Sequence, residues 1–214
     1  MIDLILFPFN GNARDALIVI NQINDIKTTY HVLGFIDDNK QLHKTKYHEL
    51  TVLGGQDILK MHTNASLLAV PSRAENFRNR NQIIQLFNHL NTNFETLVSP
   101  SVAIGPGVKI GKNTLIMPHV VLGPDAEIGD HCIIFSNTVI GHNVKVGDYT
   151  IIGATTCIAG NVEIEENCYI GIGANIIQDL VIKRGCLIGT GSVITKDTEP
   201  NSTIFGNPGR KIWQ

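Results

Sequence analysis

Three histidines, His119, His131 and His142, lie in a strictly repeating stretch in the second half of the chain. His142 stands in the segment TVIGHNVKVG, two residues after an aliphatic position of the repeat, where the pattern predicts an exposed corner of the backbone. An imidazole titrates near neutral pH and can take a proton from an attacking amine or hydroxyl. We therefore predict that His142 acts as a general base.

Polar residues also follow the predicted strands in the first half of the chain. The segment NGN at 10–12 comes after the strand LILFPF, and two aspartates end the strand HVLGFIDD. Because parallel sheets bind ligands at their carboxyl edge, we predict a substrate site there. An ordinary helix cap by Asn12 is the alternative for the first group. The residues assigned to this site are Asn10, Gly11, Asn12, Asp37, Asp38, Ser72 and Arg73.

The elements that position His142 come from a repeat of six residues. From Val98 to Ile194 every sixth residue is aliphatic, seventeen positions without a break in register. Glycine often follows the aliphatic residue, and a small or medium-sized residue recurs four places after it. This period fits a short strand plus a tight corner, and not a helix or a simple alternation. Three such faces predict a triangular coil of about 18 residues, stacked into a parallel β-helix.

The first 97 residues predict a different fold. The predicted strands lie at 4–9, 31–38, 66–70 and 94–98, and the predicted helical segments at 13–24, 54–61 and 76–89. Strands that alternate with helices predict a small Rossmann-like parallel sheet. We therefore expect two domains, 1–97 and 98–214, and a rigid junction, because no Gly/Ser-rich linker separates them.

Composition argues against several classes of protein. The 214 residues carry a net charge of -2, so no basic face for nucleic acid or an anionic membrane is expected. The sequence contains no run of about 18 apolar residues, so we expect no membrane span. The apolar start follows no basic region, so we interpret it as a strand and not a signal peptide. The four cysteines lack zinc-ligand spacing and fit a reduced, cytoplasmic core. They are Cys132, Cys157, Cys168 and Cys186.

The repeat [LIV]-G-x4, over roughly 98–197, resembles that of the left-handed β-helix acyltransferases, and the left hand is taken from this resemblance. The segment SNTVIGHNVKVGDYTIIGATTCIAGNVEI is similar to the sugar acetyltransferase family that includes the bacillosamine-pathway UDP-amino-sugar N-acetyltransferase and the sialic-acid O-acetyltransferase. The resemblance extends upstream through LTVLGGQDIL and LVSPSVAIGPGVKIG and downstream to FGNPGRKI. It therefore covers nearly the whole chain.

This resemblance implies roles for individual residues. It makes His142 the catalytic base, with Asn143 in the place where relatives often have an acid, and Ile151 where they often have a second histidine. The N–H of Gly160, one coil further along at the same corner, would bind the oxyanion, and a corner glycine required for steric reasons alone is the alternative. Residues implied for coenzyme A are Gly160, Gln178, Thr190, Arg210 and Lys211; for the last two, a solvated basic tail is the alternative. In relatives the pair of aspartates contacts the nucleotide base.

The resemblance implies an acetyl-CoA-dependent N-acetyltransferase that acts on a UDP-4-amino-4,6-dideoxy sugar for surface glycan biosynthesis, without a metal. O-acetylation of a sugar such as sialic acid is an alternative, and a non-catalytic or metal-binding β-helix is an alternative of another class. The three histidines occupy no common column, which argues against a metal site. Relatives are trimers, so we expect a homotrimer of about 70 kDa, from chains of 23.4 kDa, with each site between two subunits.

Overall fold

The computed structural model describes residues 1–72, 76–87, 90 and 92–212. The first half contains the strands β1 (Ile2–Phe7), β2 (Tyr30–Ile36), β3 (Lys46–Tyr47), β4 (Leu50–Gly54), β5 (Ser66–Ala69) and β6 (Asn93–Phe94). The helices are α1 (Gly11–Ile26) and α2 (Arg80–Gln85), with 3₁₀ turns at Lys40–Leu42, Gln56–Lys60 and Phe77–Asn79. The strands form one sheet in the order β3-β4-β2-β1-β5-β6, parallel except for the β3–β4 hairpin.

The first half of the chain departs from the predicted elements in four places. The β3–β4 hairpin was not predicted, and the helix expected at 54–61 is only a 3₁₀ turn. The helix expected at 76–89 shortens to a 3₁₀ turn and α2, and residues 88 and 89 lie outside the described part of the chain. The strand expected at 94–98 is divided, because β6 joins this sheet and the next strand joins the β-helix.

The second half is a triangular prism of two-residue strands, consistent with a left-handed β-helix. The first face holds β7 (Leu97–Val98), β10 (Leu115–Ile116), β13 (Ile133–Ile134), β16 (Ile151–Ile152), β19 (Tyr169–Ile170) and β22 (Leu187–Ile188), extended by β24 (Thr203–Phe205) and β25 (Arg210–Lys211). The second holds β8 (Ala103–Ile104), β11 (Val121–Leu122), β14 (Val139–Ile140), β17 (Cys157–Ile158), β20 (Asn175–Ile176) and β23 (Val193–Ile194). The third holds β9 (Lys109–Ile110), β12 (Glu127–Ile128), β15 (Lys145–Val146), β18 (Glu163–Ile164) and β21 (Val181–Ile182).

The predicted period fills the interior of the prism. The second residue of every strand from β7 to β23 is one of the seventeen repeated aliphatic residues, and from Ile116 onward all of them are buried. The small residue four places later is buried beside them, as at Thr138 and Cys168, so each coil alternates large and small side chains in a narrow core. Cys132, Cys168 and Cys186 are buried free thiols, and Cys157 is an exposed one.

The outward residues give each face a different character, from which we name it. The covered face presents Leu97, Leu115, Ile133, Ile151, Tyr169 and Leu187, which pack against the N-terminal sheet and its helix. The apolar face presents Ala103, Val121, Val139, Cys157, Asn175 and Val193, most of them exposed. The charged face presents Lys109, Glu127, Lys145, Glu163 and Val181.

Helix α1 joins the N-terminal sheet to the covered face. The side chain of Asn10 caps its first turn, and the buried residues Ala13, Ala16, Val19 and Ile20 form one apolar stripe. This stripe belongs to the same hydrophobic cluster as the outward residues of the covered face. One continuous core therefore links the two halves of the chain.

Candidate active site

His142 lies at the edge between the apolar and charged faces, which we call the His142 edge. Its side chain is exposed, and the next residue, Asn143, holds the left-handed corner conformation with φ 56°. Gly160 is the equivalent residue one coil further along. A Cβ at that position would lie 2.4 Å from Nε2 of His142, so only glycine lets the imidazole rest against the backbone there.

The N–H of Gly160 has no backbone partner among the described residues, although its neighbour Asn161 donates to the carbonyl of His142 at 2.9 Å. Two earlier coils have proline, which carries no N–H, at the equivalent positions 106 and 124. The corner therefore does not need this hydrogen bond. An N–H beside the imidazole is a suitable donor to an oxygen that becomes negative during acyl transfer.

A column of hydrogen-bonded side chains runs along the same edge, and its first member contacts the ring of His142. Nδ2 of Asn143 lies 3.2 Å from Nδ1 of His142 and donates to Oδ1 of Asn161 at 3.1 Å. Nδ2 of Asn161 donates to Oδ1 of Asp179 at 2.8 Å. Asn161 and Asp179 were not predicted as site residues. Reading every eighteenth residue from Asn143 would have found them, because that is the length of one coil.

The structure brings together only some of the residues predicted for coenzyme A. Gln178 is exposed on the His142 edge, one coil beyond Gly160. Thr190 is exposed on a different edge, the one between the covered and apolar faces. Arg210 and Lys211 lie in β25 at the end of the prism, where the ammonium group of Lys211 pairs with the carboxylate of Glu199. The His142 edge, with Gln178, and the edge that carries Thr190 both border the apolar face.

The three histidines of the prism lie on three different edges, so they cannot meet within one chain. His131 is buried at the edge between the charged and covered faces, where its Nδ1 accepts a 2.9 Å hydrogen bond from Nδ2 of Asn113 and its ring stacks on Tyr149. Burial lowers the pKa of His131 to about 4, so its ring is neutral at physiological pH. His119 is exposed on the third edge. Within the described ranges, no group of three or more potential ligands is placed to hold a metal ion.

A cavity of about 280 Å³ lies at the carboxyl edge of β1, β2 and β5. Its lining includes the predicted residues Asn10, Asp37 and Ser72, and also Phe9, Asn39 and Pro71, which were not predicted. The N-terminal end of α1 lies here, since Asn10 is its cap, and such an end favours anionic groups.

Hydrogen bonds fix the loops around this cavity. The carboxylate of Asp37 accepts from the N–H of Phe9 at 3.0 Å and from the N–H of Asn39 at 2.9 Å. Asp38 instead accepts from the N–H of Gln56 and does not line the cavity. The two adjacent aspartates therefore have different positions, which the sequence did not distinguish.

The remaining predicted residues of this region contribute in other ways. Gly11 and Asn12 form the first turn of α1, and Nδ2 of Asn12 donates to the carbonyl of Val70 at 3.2 Å. The helix cap is Asn10 and not Asn12, because Oδ1 of Asn10 accepts from the N–H of Ala13 at 2.9 Å. Arg73 lies outside the described residues.

Arg80 connects the cavity to the prism. It is fully buried, and it donates through Nε to the carbonyl of Pro71 and through Nη1 to the carbonyl of Tyr149, both at 2.6 Å. Burial lowers the pKa of Arg80 to about 10, so the guanidinium stays charged at neutral pH. It therefore holds the end of β5, at the cavity, against a corner of the prism.

In the part of the chain that the structure describes, no helix is both long and apolar enough to cross a membrane. No curated protein matches the sequence.

Solved structures share this fold over the full length of the chain. The acetyltransferase domain of PglB from Neisseria gonorrhoeae FA1090 is 22% identical with a TM-score of 0.85, covering 98% of this chain and 99% of that chain. PerB from Caulobacter crescentus, solved in complex with CoA and GDP-perosamine, is 21% identical with a TM-score of 0.85, covering 100% and 98%. WeeI from Acinetobacter baumannii AYE is 23% identical with a TM-score of 0.84, covering 99% and 100%.

The sequence also matches a family model described as the GMPPB C-terminal domain, over residues 92–204. The match covers more than half of the chain, from β6 at the edge of the N-terminal sheet through nearly the whole prism to β24. The chain therefore belongs to the GMPPB C-terminal domain family.

Proposed function

We propose that this chain is an acetyl-CoA-dependent N-acetyltransferase that acts on a nucleotide-linked amino sugar for surface glycan biosynthesis. The observation that carries the proposal is the His142 corner, where an exposed imidazole rests on Gly160, whose N–H has no backbone partner in the described part of the chain. A base beside an oxyanion donor is what acyl transfer to an amine requires. The structural likeness to PerB, solved with CoA and GDP-perosamine, supports the substrate class.

The proposed step uses few groups. The sugar amine attacks the carbonyl carbon of the thioester, and His142 takes the proton that the nitrogen loses. The N–H of Gly160 donates to the carbonyl oxygen as it becomes negative. When the tetrahedral intermediate collapses, the carbon–sulfur bond breaks, and the leaving thiolate of coenzyme A receives the proton from His142. No metal takes part in this step.

We assign the N-terminal cavity to the nucleotide part of the substrate. In this proposal residues 1–97 are a Rossmann-like nucleotide-sugar domain and residues 98–214 the acyltransferase domain. The cap of α1 at Asn10 would face the diphosphate, and Ser72 would contact the nucleotide from the end of β5. Asp37 holds the loops that shape the cavity. We include Gly11, Asn12, Asp38 and Arg73 as supporting residues of this site.

Coenzyme A is proposed to follow the apolar face. Gly160 and Gln178 lie on one edge of that face and Thr190 on the other, so a long ligand would contact them from a groove formed with a second prism. Arg210 and Lys211, at the end of the prism, would approach the phosphates. The pairing of Lys211 with Glu199 makes Arg210 the stronger candidate of the two.

We further propose a homotrimer built on the apolar face. Of the three faces, the covered one is buried by the chain itself, and on the charged one Lys109 and Glu127 pair at 2.9 Å and face solvent. On the apolar face the side chains of Val121 and Val139 are 40% and 42% exposed. An exposed row of aliphatic side chains such as this one marks a surface that an interface buries. Closed three-fold packing through this face gives three equivalent sites.

The position of the cavity also favours sites shared between chains. The N-terminal sheet packs on the covered face, whereas the His142 edge joins the other two faces and lies opposite it. A nucleotide sugar bound at Asn10 and Asp37 would therefore be separated from His142 of its own chain by the width of the prism. In a trimer, a neighbouring chain would provide the histidine.

Matched substitutions test the oligomer. Val139→Asp, on the apolar face, should convert a particle of about 70 kDa, three chains of 23.4 kDa, into monomers, because it places a charge in each interface. Val181→Asp, the same change on the charged face, should leave the trimer intact. Sedimentation equilibrium distinguishes them, and a wild-type monomer that is fully active would contradict the model.

The function itself is tested by thiol release from acetyl-CoA with UDP- and GDP-linked amino sugars, with and without zinc. We expect release with at least one amino sugar and no dependence on zinc. Turnover only with hydroxyl acceptors such as sialic acid would instead assign O-acetylation, and turnover that requires zinc would contradict the proposed step. Four free cysteines are in keeping with a cytoplasmic location, which we propose as well.

A further inference from the structure

The column from His142 to Asp179 has a polarity that can be read from its chemistry. Its three polar side chains, Asn143, Asn161 and Asp179, stand one coil apart. Each residue has the left-handed backbone conformation, with φ values of 56°, 61° and 62°. Their repeated backbone geometry stacks one side chain on the next, at 3.1 Å and 2.8 Å. The column begins at Nδ1 of His142 and ends at a carboxylate.

A carboxylate accepts hydrogen bonds and cannot donate them. Asn161 must therefore direct its amide nitrogen at Asp179 and its oxygen at Asn143. Asn143 must in turn direct its nitrogen at Asn161, and the second hydrogen of that nitrogen is directed at Nδ1 of His142. Turning either amide around would set two acceptors or two donors against each other.

We propose that Asp179, acting through Asn161 and Asn143, is a positioning residue that fixes the tautomer of neutral His142, with Nδ1 as acceptor and the proton on Nε2. This inference rests on the proposed function for its meaning, because it decides which ring nitrogen can act as the base. In this tautomer Nδ1 is engaged by Asn143. Nδ1 is therefore the ring nitrogen that takes the amine proton in the proposed step, when Asn143 gives up its hydrogen bond to the ring, and Nε2–H, which lies against Gly160, stays protonated throughout.

The polarity can be reversed without a change in net charge. In the double variant Asn143→Asp/Asp179→Asn, the carboxylate next to His142 accepts from Nδ1–H, Asn161 turns around, and the new amide at 179 donates to it. Asn and Asp both tolerate the left-handed conformation, and both positions are exposed, so the variant keeps the corners of the prism. The single variant Asn143→Asp is the control. It sets a carboxylate at each end of the column, so the one amide nitrogen of Asn161 faces two acceptors and cannot satisfy both.

The experiment is nitrogen NMR of histidine-labelled protein above the titration range of its imidazoles, with the signals of His142 assigned by their loss in His142→Asn. Unprotonated ring nitrogens resonate well downfield of protonated ones. We expect the downfield signal at Nδ1 in the wild type and at Nε2 in the double variant. A downfield Nε2 in the wild type, or an unchanged pattern in the double variant, would overturn the proposal.

These outcomes are separate from the fate of the proposed function. The tautomer is measured in the free protein, with no acyl donor or acceptor present. If no amino sugar is acetylated but the downfield signal moves as expected, the acetyltransferase assignment fails and the column stands. If acetylation is found but the signal does not move, the column fails and the assignment stands.

Discussion

His131 and His142 occupy corners of the same prism less than one coil apart, yet their surroundings differ completely. His131 lies under the N-terminal sheet, stacked on Tyr149 and hydrogen-bonded to Asn113. His142 lies on the edge opposite the covered face, exposed and backed by glycine. The repeat gives every edge the same backbone. What covers an edge therefore determines whether its histidine holds the fold together or is free to react.

The largest effect that this comparison predicts concerns His142. His142→Ala should lower kcat by about 10²- to 10⁴-fold, since that is the usual scale for loss of a general base. Binding of coenzyme A and the oligomer should persist, because the side chain is exposed. Steady-state kinetics give kcat and the KM for acetyl-CoA, and sedimentation equilibrium gives the oligomeric state. Near-normal turnover would show that the exposed edge is not catalytic.

Gly160→Ala should have the next largest effect. The added Cβ would lie 2.4 Å from Nε2 of His142, so the ring must move, and a displacement of about 1 Å can cost about 10² in rate. In the His142→Ala background the same change should cost little more, because no ring remains to be displaced. Two full and additive losses would mean that Gly160 acts independently of His142.

The two aspartates after β2 allow a similar comparison in the N-terminal sheet, because Asp37 lines the cavity and Asp38 does not. Asp37→Ala removes the acceptor for the N–H groups of Phe9 and Asn39, so KM for the sugar nucleotide should rise about tenfold, with little change for acetyl-CoA. Asp38→Ala is the matched control and should change KM much less, because Asp38 holds Gln56 outside the cavity. Equal effects from both would argue against a nucleotide site in this cavity.

The smallest effect on turnover is expected at His131. Its folded pKa is about 4 against an ordinary value of 6.5, so its contribution to stability is complete above about pH 6.5 and is lost as the pH falls toward 4, where the unfolded chain binds the proton more readily. In His131→Phe the free energy of unfolding should depend less on pH over this window, and kcat should be unchanged. Denaturant titrations at several pH values measure the slope; equal slopes would exclude this role.

Much of the prism could be predicted because its cross-section repeats. Every coil places the same positions inward, so the aliphatic period gave the strands from β7 to β23 residue by residue. The same regularity identified Gly160 as the neighbour of His142. Asn161 and Asp179 were not predicted, although the same regularity would have identified them if the outward residues had been compared one coil apart.

The N-terminal sheet was less predictable because its details depend on tertiary contacts. The short hairpin β3–β4 carries little local signal, and α2 begins at Arg80, whose burial is decided by the carbonyl groups of Pro71 and Tyr149. Likewise, adjacent aspartates at the end of a strand diverge according to the loops they meet. No local pattern separates Asp37 from Asp38.

The central claim is that the cavity of one chain serves His142 of another, and mixed trimers test it most directly. His142→Ala and Asp37→Ala chains are co-expressed with different tags, purified as mixed particles and assayed at a low concentration of sugar nucleotide. If sites are shared, each mixed trimer restores one of its three sites, about a third, with an intact cavity from one chain and an intact histidine from its neighbour. Activity no greater than the average of the two parent variants would contradict the account, because it would place the cavity and the histidine of each site in the same chain.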